Sequence, residues 1–159
     1  MFNITSRLWT WVSGNNTVDA VGVYGTKGVS SVNNYPGNRY AHSMVLHPSL
    51  NCLFVFGGYG YATSTATYGM YPVINLESFF KGPLNDLWMY NISSNAWTWV
   101  SGNNTVNSAG NYGTKGITAS TNLPRSREGS SLVLDTVGGA LFVFGGYQGL
   151  GSSINDHCI

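Results

Sequence analysis

Short apolar runs separated by glycine, asparagine and serine recur along the chain. LFVF at 53–56 is apolar at every position, as in a central strand that neighbours cover on both faces, and Gly57 and Gly58 end the run. No segment keeps the i, i+3, i+4, i+7 spacing of an amphipathic helix. The pattern therefore predicts an all-β fold.

A four-stranded antiparallel meander is predicted between about residues 40 and 100. In its last strand the residue types alternate, so that Trp97 and Trp99 share one face. The turn-forming segment HPSLN at 47–51 joins the first two strands at hairpin length. The four predicted strands are HSMVL at 42–46, LFVF at 53–56, LWMY at 87–90 and WTWV at 97–100.

An internal repeat organises the chain. The decapeptide WTWVSGNNTV occurs at 9–18 and again at 97–106, a spacing of 88 residues, and residues 1–59 match 89–147 at 33 of 59 positions. A period of this length indicates one structural unit that is used again. We therefore predict repeat units 1–88 and 89–159. They contain one complete four-stranded unit, a lone fourth strand at 8–12 before it, and a unit without its fourth strand after it.

The glycines and aromatic residues of the repeat resemble those of kelch repeats. The shared pattern is a double glycine after the second strand, a tyrosine in the third and a tryptophan in the fourth; these are Gly57, Gly58, Tyr90 and Trp97, and the second copy supplies Gly145 and Gly146. The resemblance covers the whole chain. It implies that residues 1–159 form part of one kelch-type β-propeller, similar to the central domain of galactose oxidase, in which each repeat is one blade and these residues are structural.

Two repeats are too few to close a propeller, which typically has four to eight blades. They would leave apolar blade faces and an unpaired strand edge. Two alternatives follow, of which the first is favoured. Either the chain is a fragment of a larger kelch protein, or several copies form a homo-oligomer in which each donates its first strand to complete a neighbour's last blade.

Three long loops, at 13–39, 59–84 and 101–127, are predicted at one end of the strands, because strands in a meander alternate in direction. Loops on a rigid scaffold are frequent binding sites. The candidate binding residues are three pairs matched by the repeat: Tyr24 and Tyr112, Lys27 and Lys115, and Arg39 and Arg127.

The two arginines have a second interpretation. The resemblance places Arg39 and Arg127 at the entry to the innermost strand, where they would meet an anion or an acidic peptide in the central cavity. The favoured alternative is that they satisfy loop carbonyls or pair with an aspartate such as Asp86.

The predicted function is that of an interaction module that binds a protein partner through these loops. The alternative is a carbohydrate-binding propeller of a cell-surface or exported protein. Only 8% of the residues are charged, the net charge is +1 and no run of like charge occurs, so a nucleic-acid-binding surface is not expected. No membrane-spanning segment or signal peptide is visible, and the compartment is left open.

No enzyme activity, metal site or cofactor is predicted. His42, His47 and His157 form no ligand pattern, and no pair of carboxylates has a cleft-forming spacing. No serine or cysteine has an identifiable base. A galactose oxidase type of activity would require a copper site, for which this chain offers no recognisable ligand set.

Overall fold

The computed structural model of the protein describes residues 1–63, 81–148 and 153–158. All regular structure in this part of the chain is β-strand, which confirms the all-β prediction. The strands are β1 (Phe2–Asn3), β2 (Leu8–Trp9), β3 (Arg39–Tyr40), β4 (Ser43–His47), β5 (Cys52–Phe56), β6 (Tyr59–Tyr61), β7 (Lys81–Pro83), β8 (Leu87–Asn91), β9 (Ala96–Ser101), β10 (Ser131–Asp135), β11 (Ala140–Phe144) and β12 (His157–Cys158).

The first sheet is the four-stranded antiparallel meander that the apolar pattern predicts, with the strand order β4-β5-β8-β9. β5 pairs with β4 on one side and with β8 on the other, which explains why its sequence is apolar throughout. Trp88 lies opposite Val55 on β5 and opposite Trp99 on β9. One face of the sheet therefore carries a row of large apolar side chains.

The second sheet repeats the first without a fourth strand and has the order β10-β11-β12. Val143 pairs with Cys158 in this sheet, as Val55 pairs with Trp88 in the first. Cys158 therefore occupies the strand position of Trp88, although the residue types differ greatly in volume.

The two sheets lie face to face and meet along their first strands. β10 lies against β4, and the Ser43 hydroxyl donates a hydrogen bond to the backbone carbonyl of Ser130. Away from this line a cavity of about 540 Å³ separates the sheets, lined on one side by Phe54, Phe56 and Leu87 and on the other by Leu132, Leu134 and Val143. The sheets are thus arranged as a wedge that opens toward the outer strands.

The stacking of the sheets has a direction. The face that the first sheet turns to the second is the opposite of the face that the second sheet turns to the first. Leu132 and Leu134 face the first sheet, and their repeat equivalents, 88 positions earlier, are Met44 and Leu46. Met44 is 58% exposed and Leu46 is 48% exposed. The face that the second sheet buries against its neighbour is therefore uncovered at these positions of the first sheet.

The segment before the first sheet differs from the prediction of a lone strand at 8–12. Only Leu8 and Trp9 are in a strand, and this strand pairs with β1. Phe2 lies opposite Trp9 in the same register as Tyr90 opposite Trp97. The hairpin β1-β2 is therefore the repeat equivalent of β8-β9. Beyond the strand, Thr10 still exchanges backbone hydrogen bonds with Met1 at 2.8 Å, whereas residues 11–12 lie outside any strand.

A third, small sheet of order β3-β6-β7 lies where the connections leave the first sheet. Tyr40 pairs with Tyr59, and Tyr59 pairs with Pro83. The predicted loop 59–84 therefore begins and ends in strands, while residues 64–80 of this loop lie outside the described residues.

The double glycine allows an unusual backbone conformation and a close approach of two backbones. Gly57 and Gly58 have φ angles of 60° and 94°, a region that side chains disfavour. A Cβ on Gly57 would lie 2.7 Å from the carbonyl oxygen of Arg127. The amide of Gly58 donates to that same oxygen at 2.9 Å. The pair thus allows the backbones of the two repeats to touch.

We predict that Gly57→Ala destabilises the protein more than Gly145→Ala. Both glycines have a positive φ, of 60° and 66°, so each alanine loses about 1–2 kcal/mol from the backbone conformation. At Gly145 the nearest atom to an added Cβ is 3.6 Å away, so no clash is added there. Urea unfolding of the two variants measures the difference, and equal losses would contradict this account of the contact between repeats.

Candidate functional site

Four of the six predicted binding residues belong to two copies of one buried network. The first loop (residues 13–39) and the second loop (residues 101–127) each bring a tyrosine and an arginine to an aspartate at the start of a third strand. In the first copy the aspartate is Asp86, which is fully buried. The site is therefore built around a carboxylate that holds a loop against a sheet.

Asp86 accepts four hydrogen bonds. Arg39 donates from Nη1 at 2.7 Å to one carboxylate oxygen and from Nη2 at 2.8 Å to the other. The hydroxyl of Tyr24 donates at 2.6 Å and the Nε1 of Trp88 at 2.7 Å. Such a bidentate pair with further donors compensates the loss of water around the carboxylate.

Arg39 also donates to two backbone carbonyls. Its Nε donates to the carbonyl of Gly37 at 3.1 Å, and its Nη1 also donates to the carbonyl of Gly57 at 3.0 Å. The side chain is 5% exposed. The structure thus shows both parts of the favoured alternative for Arg39, which are the bonds to backbone carbonyls and the pairing with Asp86.

Burial and the ion pair set the ionisation of this network. Burial raises the pKa of Tyr24 well above its ordinary value, and the negative charge of Asp86 raises it further. Burial works against the charge of Arg39, but the interaction with Asp86 outweighs it and raises the pKa of Arg39. The network is therefore a neutral phenol beside a closed ion pair.

The second copy repeats the network in a looser form. Arg127 forms a bidentate pair with Asp156 and donates to the hydroxyl of Tyr112 at 3.2 Å. Asp156 is 24% exposed, whereas Arg127 is buried. Burial opposes the charge of Asp156, but the bonds from Arg127 and Tyr112 lower its pKa. Cys158 takes the place of Trp88, so the carboxylate lacks an indole donor.

Asn85 is a second anchor that the sequence interpretation did not single out. It is 1% exposed, and its Nδ2 donates to the carbonyl of Pro124 at 2.9 Å. Its Oδ1 accepts from the amide of Asn103 at 3.0 Å. Asn85 therefore fixes the second loop while the adjacent Asp86 fixes the first. The recurrence of Asn-Asp at 85–86 and 155–156 was the available signal.

The two predicted lysines differ in their surroundings. Lys27 donates from Nζ to the carbonyl of Gly102 at 2.7 Å and lies 4.3 Å from the centre of the Trp99 ring. Lys115, its equivalent in the second loop, is exposed. Lys27 holds the first loop to the first sheet.

The predicted kelch-motif aromatics lie in the first sheet. Tyr90 is 7% exposed, its ring centre is 4.9 Å from that of Trp97, and its hydroxyl donates to Asn95 at 2.8 Å. Tyr24 packs between Trp88 and Trp99 at 4.8 and 5.2 Å. The loop tyrosine and the strand tryptophans form one core cluster.

The first loop does not remain at one end of the strands. Its amide at Gly28 donates to the carbonyl of Trp99 at 2.8 Å, and Ser31 exchanges backbone hydrogen bonds with Trp97. This part of the loop therefore runs along β9 and covers the outer edge of the first sheet.

A stacked pair of tyrosines, one exposed and one partly exposed, lies on the small sheet. The rings of Tyr40 and Tyr59 stack at 5.4 Å with 27° between their planes, and Tyr40 is 57% exposed. On the neighbouring strand Lys81 lies 5.3 Å from the centre of the Tyr61 ring. We call Tyr40, Tyr59, Tyr61 and Lys81 the tyrosine platform. The sequence interpretation missed it, because the strand pairing of 39–40 with 59–60 is long-range.

The described residues contain no group of three or more histidine, cysteine, aspartate or glutamate side chains placed to hold a metal ion. Within the same ranges, no helix has the length and apolar character needed to cross a membrane.

Comparison of the chain with protein-family models and with curated proteins finds no matching family and no similar protein.

We predict that Asp86→Asn destabilises the protein by about 3–5 kcal/mol, because Arg39 would remain buried without its counter-charge. The matched variant Asp156→Asn should lose less, since water already reaches Asp156. Urea unfolding measures both free energies. A larger loss for Asp156→Asn would contradict the assignment of Asp86 as the main anchor.

Tyr24 should make the protein sensitive to alkaline pH. Because its folded pKa is raised, the neutral phenol contributes stability that is fully present below the unfolded value of about 10 and is lost as pH rises through the folded pKa. The stability advantage of the natural protein over Tyr24→Phe should therefore shrink as the pH is raised above about 10. Tyr112→Phe, at a residue that is 44% exposed, serves as the control and should show a smaller change. An advantage of Tyr24 that stays constant with pH would contradict the burial argument.

Proposed function

We propose that the chain is a protein-interaction module built from kelch-type blades of a β-propeller, and that it binds a protein partner at the loop end of its sheets. The proposal for the architecture is supported by the two equivalent sheets, which stack with opposite faces in contact. It is also supported by the glycine pairs at 57–58 and 145–146, which have positive φ in both copies.

The binding surface that we propose is the tyrosine platform, and the observation that carries this is the stacked pair in which Tyr40 is exposed and Tyr59 is partly exposed. The pair sits on strands and not on a free loop, since Tyr40 and Tyr59 are directly opposite in the small sheet. Arg39, next to Tyr40, is tied to Asp86. The platform is therefore held in position before a partner arrives.

A protein partner suits this surface. Tyrosine supplies a large contact area with few rotatable bonds and is enriched among the residues that dominate binding energy. The platform also contains Lys81, whose charge adds a directional contact. Of the residues predicted from the sequence, Tyr112 and Lys115 remain candidate contacts because both are exposed.

Carbohydrate binding is the second candidate function, and the exposed ring of Tyr40 supports it. A flat, exposed tyrosine face such as that of Tyr40 can pack against the apolar face of a sugar ring. The low charged fraction, 8% of all residues, fits a neutral ligand.

We predict that Tyr40→Ala with Tyr59→Ala abolishes partner binding and leaves the first sheet intact. Leu50→Ala is the matched control: Leu50 is 58% exposed, close to the 57% of Tyr40, but lies in the β4–β5 turn at the opposite end of the strands. Capture from cell extract followed by cross-linking should identify a partner that the natural protein and Leu50→Ala retain.

Binding of a glycan array instead, lost in the double tyrosine variant, would favour the second candidate. Equal capture by all three proteins would contradict the proposed surface. Urea unfolding of the variants separates loss of the surface from loss of the fold.

A further inference from the structure

β9 is held at its outer edge by the first loop through a defined set of contacts to Trp97. Ser31 exchanges backbone hydrogen bonds with Trp97 at 3.1 and 3.2 Å. Asn34 donates from Nδ2 to the carbonyl of Trp97 at 3.3 Å, and the indole Nε1 of Trp97 donates to Ser13 Oγ at 3.0 Å. With Lys27, which lies over Trp99, these residues form the first cradle: Ser13, Lys27, Ser31 and Asn34.

The second loop has the same shape, and no described strand pairs with its residues 113–119. The backbone bridge Asn111↔Leu123 repeats the bridge Val23↔Tyr35. Asn122 donates from Nδ2 to the carbonyl of Ile117 at 3.0 Å, as Asn34 donates to that of Val29. The equivalents of the first cradle, 88 positions later, form the second cradle: Ser101, Lys115, Ala119 and Asn122.

The second cradle borders the cavity between the sheets. Three neighbours of Trp97 in the first repeat are Ser13, Asn34 and Trp88. The equivalents of these three residues in the second repeat are Ser101, Asn122 and, by strand position, Cys158. All three line the cavity of about 540 Å³. The Oδ1 of Asn122 is buried and has no hydrogen-bond partner among the described residues. The cavity thus lies where the second repeat would place a tryptophan.

The chain itself carries a strand with the matching sequence. Residues 9–14, WTWVSG, are identical to 97–102. Trp9 is 79% exposed and Trp11 is 68% exposed, which is unusual for the largest apolar side chain. The indole of Trp11 already donates to the carbonyl of Ser13 at 2.9 Å, as that of Trp99 donates to Ser101 at 2.8 Å.

The short strands β1 and β12 also occupy complementary positions. By register, β12 corresponds to residues 87–88 of the first sheet, whereas β1 corresponds to residues 90–91. β1 and β12 therefore fill different halves of the same strand position. A hairpin β1-β2 placed beside β11 would continue β12 with β1 and add β2 as the fourth strand, and the paired residues of β1 and β12 would not overlap. Met1 and Ile159 both correspond in sequence to Met89, so the register has one residue in excess at that position.

We propose that the hairpin β1-β2 and residues 10–14 of one copy bind in the second cradle of another copy of this chain. Trp9 enters the cavity and donates from Nε1 to Ser101 Oγ, and its backbone pairs with Ala119. Lys115 lies over Trp11 and donates to the carbonyl of Gly14, as Lys27 does with Trp99 and Gly102.

The same arrangement covers the open sheet faces. The first sheet of the donating copy stacks on the second sheet of the accepting copy, as the two sheets stack within one chain. Met44 and Leu46, which are 58% and 48% exposed, then face Val133, which is 59% exposed. The contact joins different surfaces of two copies, so association yields an open chain or a closed ring, of which the smallest is a pair in which each copy donates its hairpin to the other.

Sedimentation of the whole chain tests the inference. The protein should associate with rising concentration into multiples of its 17.1 kDa mass, and its tryptophan emission should shift to shorter wavelength as Trp9 and Trp11 become buried. A chain that remains monomeric up to its highest soluble concentration would overturn the proposal.

Two variants assign the association to this contact. Trp9→Ala with Trp11→Ala removes the donor, and Ala119→Pro with Lys115→Ala removes the backbone donor and the cation of the second cradle. Each double variant alone should be monomeric, and an equimolar mixture should form a 1:1 dimer, because one keeps its cradle and the other keeps its strand. Association of either variant alone, or a mixture that stays monomeric, would overturn the proposal.

Two single substitutions of exposed side chains test the contact with less risk of misfolding than the double variants. Lys115→Ala alters an exposed side chain and should raise the dissociation constant about threefold or more through loss of the contact with Trp11. Val137→Ala, at a position that is 98% exposed in the β10–β11 turn, is the control and should associate like the natural protein. Equal dissociation constants for the two variants would overturn the assigned role of Lys115.

Discussion

The buried carboxylate of Asp86 is the interaction on which the rest of the structure depends. A carboxylate without water is costly unless all its acceptor capacity is used, and here Arg39, Tyr24 and Trp88 supply four donors. Tyr24 comes from the middle and Arg39 from the end of one long loop, so satisfying the carboxylate also orders that loop. Because Asn85 holds the following loop, one dipeptide couples two connections to the first sheet.

Loops fixed in this way become part of the scaffold. The first loop protects the edge of β9, and its tyrosine lies in the aromatic cluster of the sheet. The surface proposed for recognition is the tyrosine platform, in which Tyr40 is 57% exposed, Tyr59 and Lys81 are partly exposed and Tyr61 is buried, while the backbone is paired in the small sheet.

The repeat also makes the two outer faces of the stacked sheets different. Equivalent sheets touch through opposite faces, so each added unit covers one face and exposes another. In the described residues the second network is looser, because Cys158 replaces Trp88 and the sheet beside it has three strands. A strand bearing tryptophans would supply the volume and the hydrogen-bond donors that the second sheet lacks.

The sequence by itself determined the elements that depend on local pattern. The strands of the first sheet, the repeat spacing of 88 residues and the end of the second strand at the double glycine follow from alternation, identity and residue type. The roles of Tyr24, Arg39 and Arg127 stayed open between ligand binding and structure, because the same guanidinium suits a bound anion and a buried aspartate. Only the tertiary structure decided that Asp86 lies within 2.8 Å of Arg39, that the first loop runs along β9, and that Tyr40 stacks on Tyr59. These contacts join residues far apart in the chain, and a sequence pattern carries no distance between them.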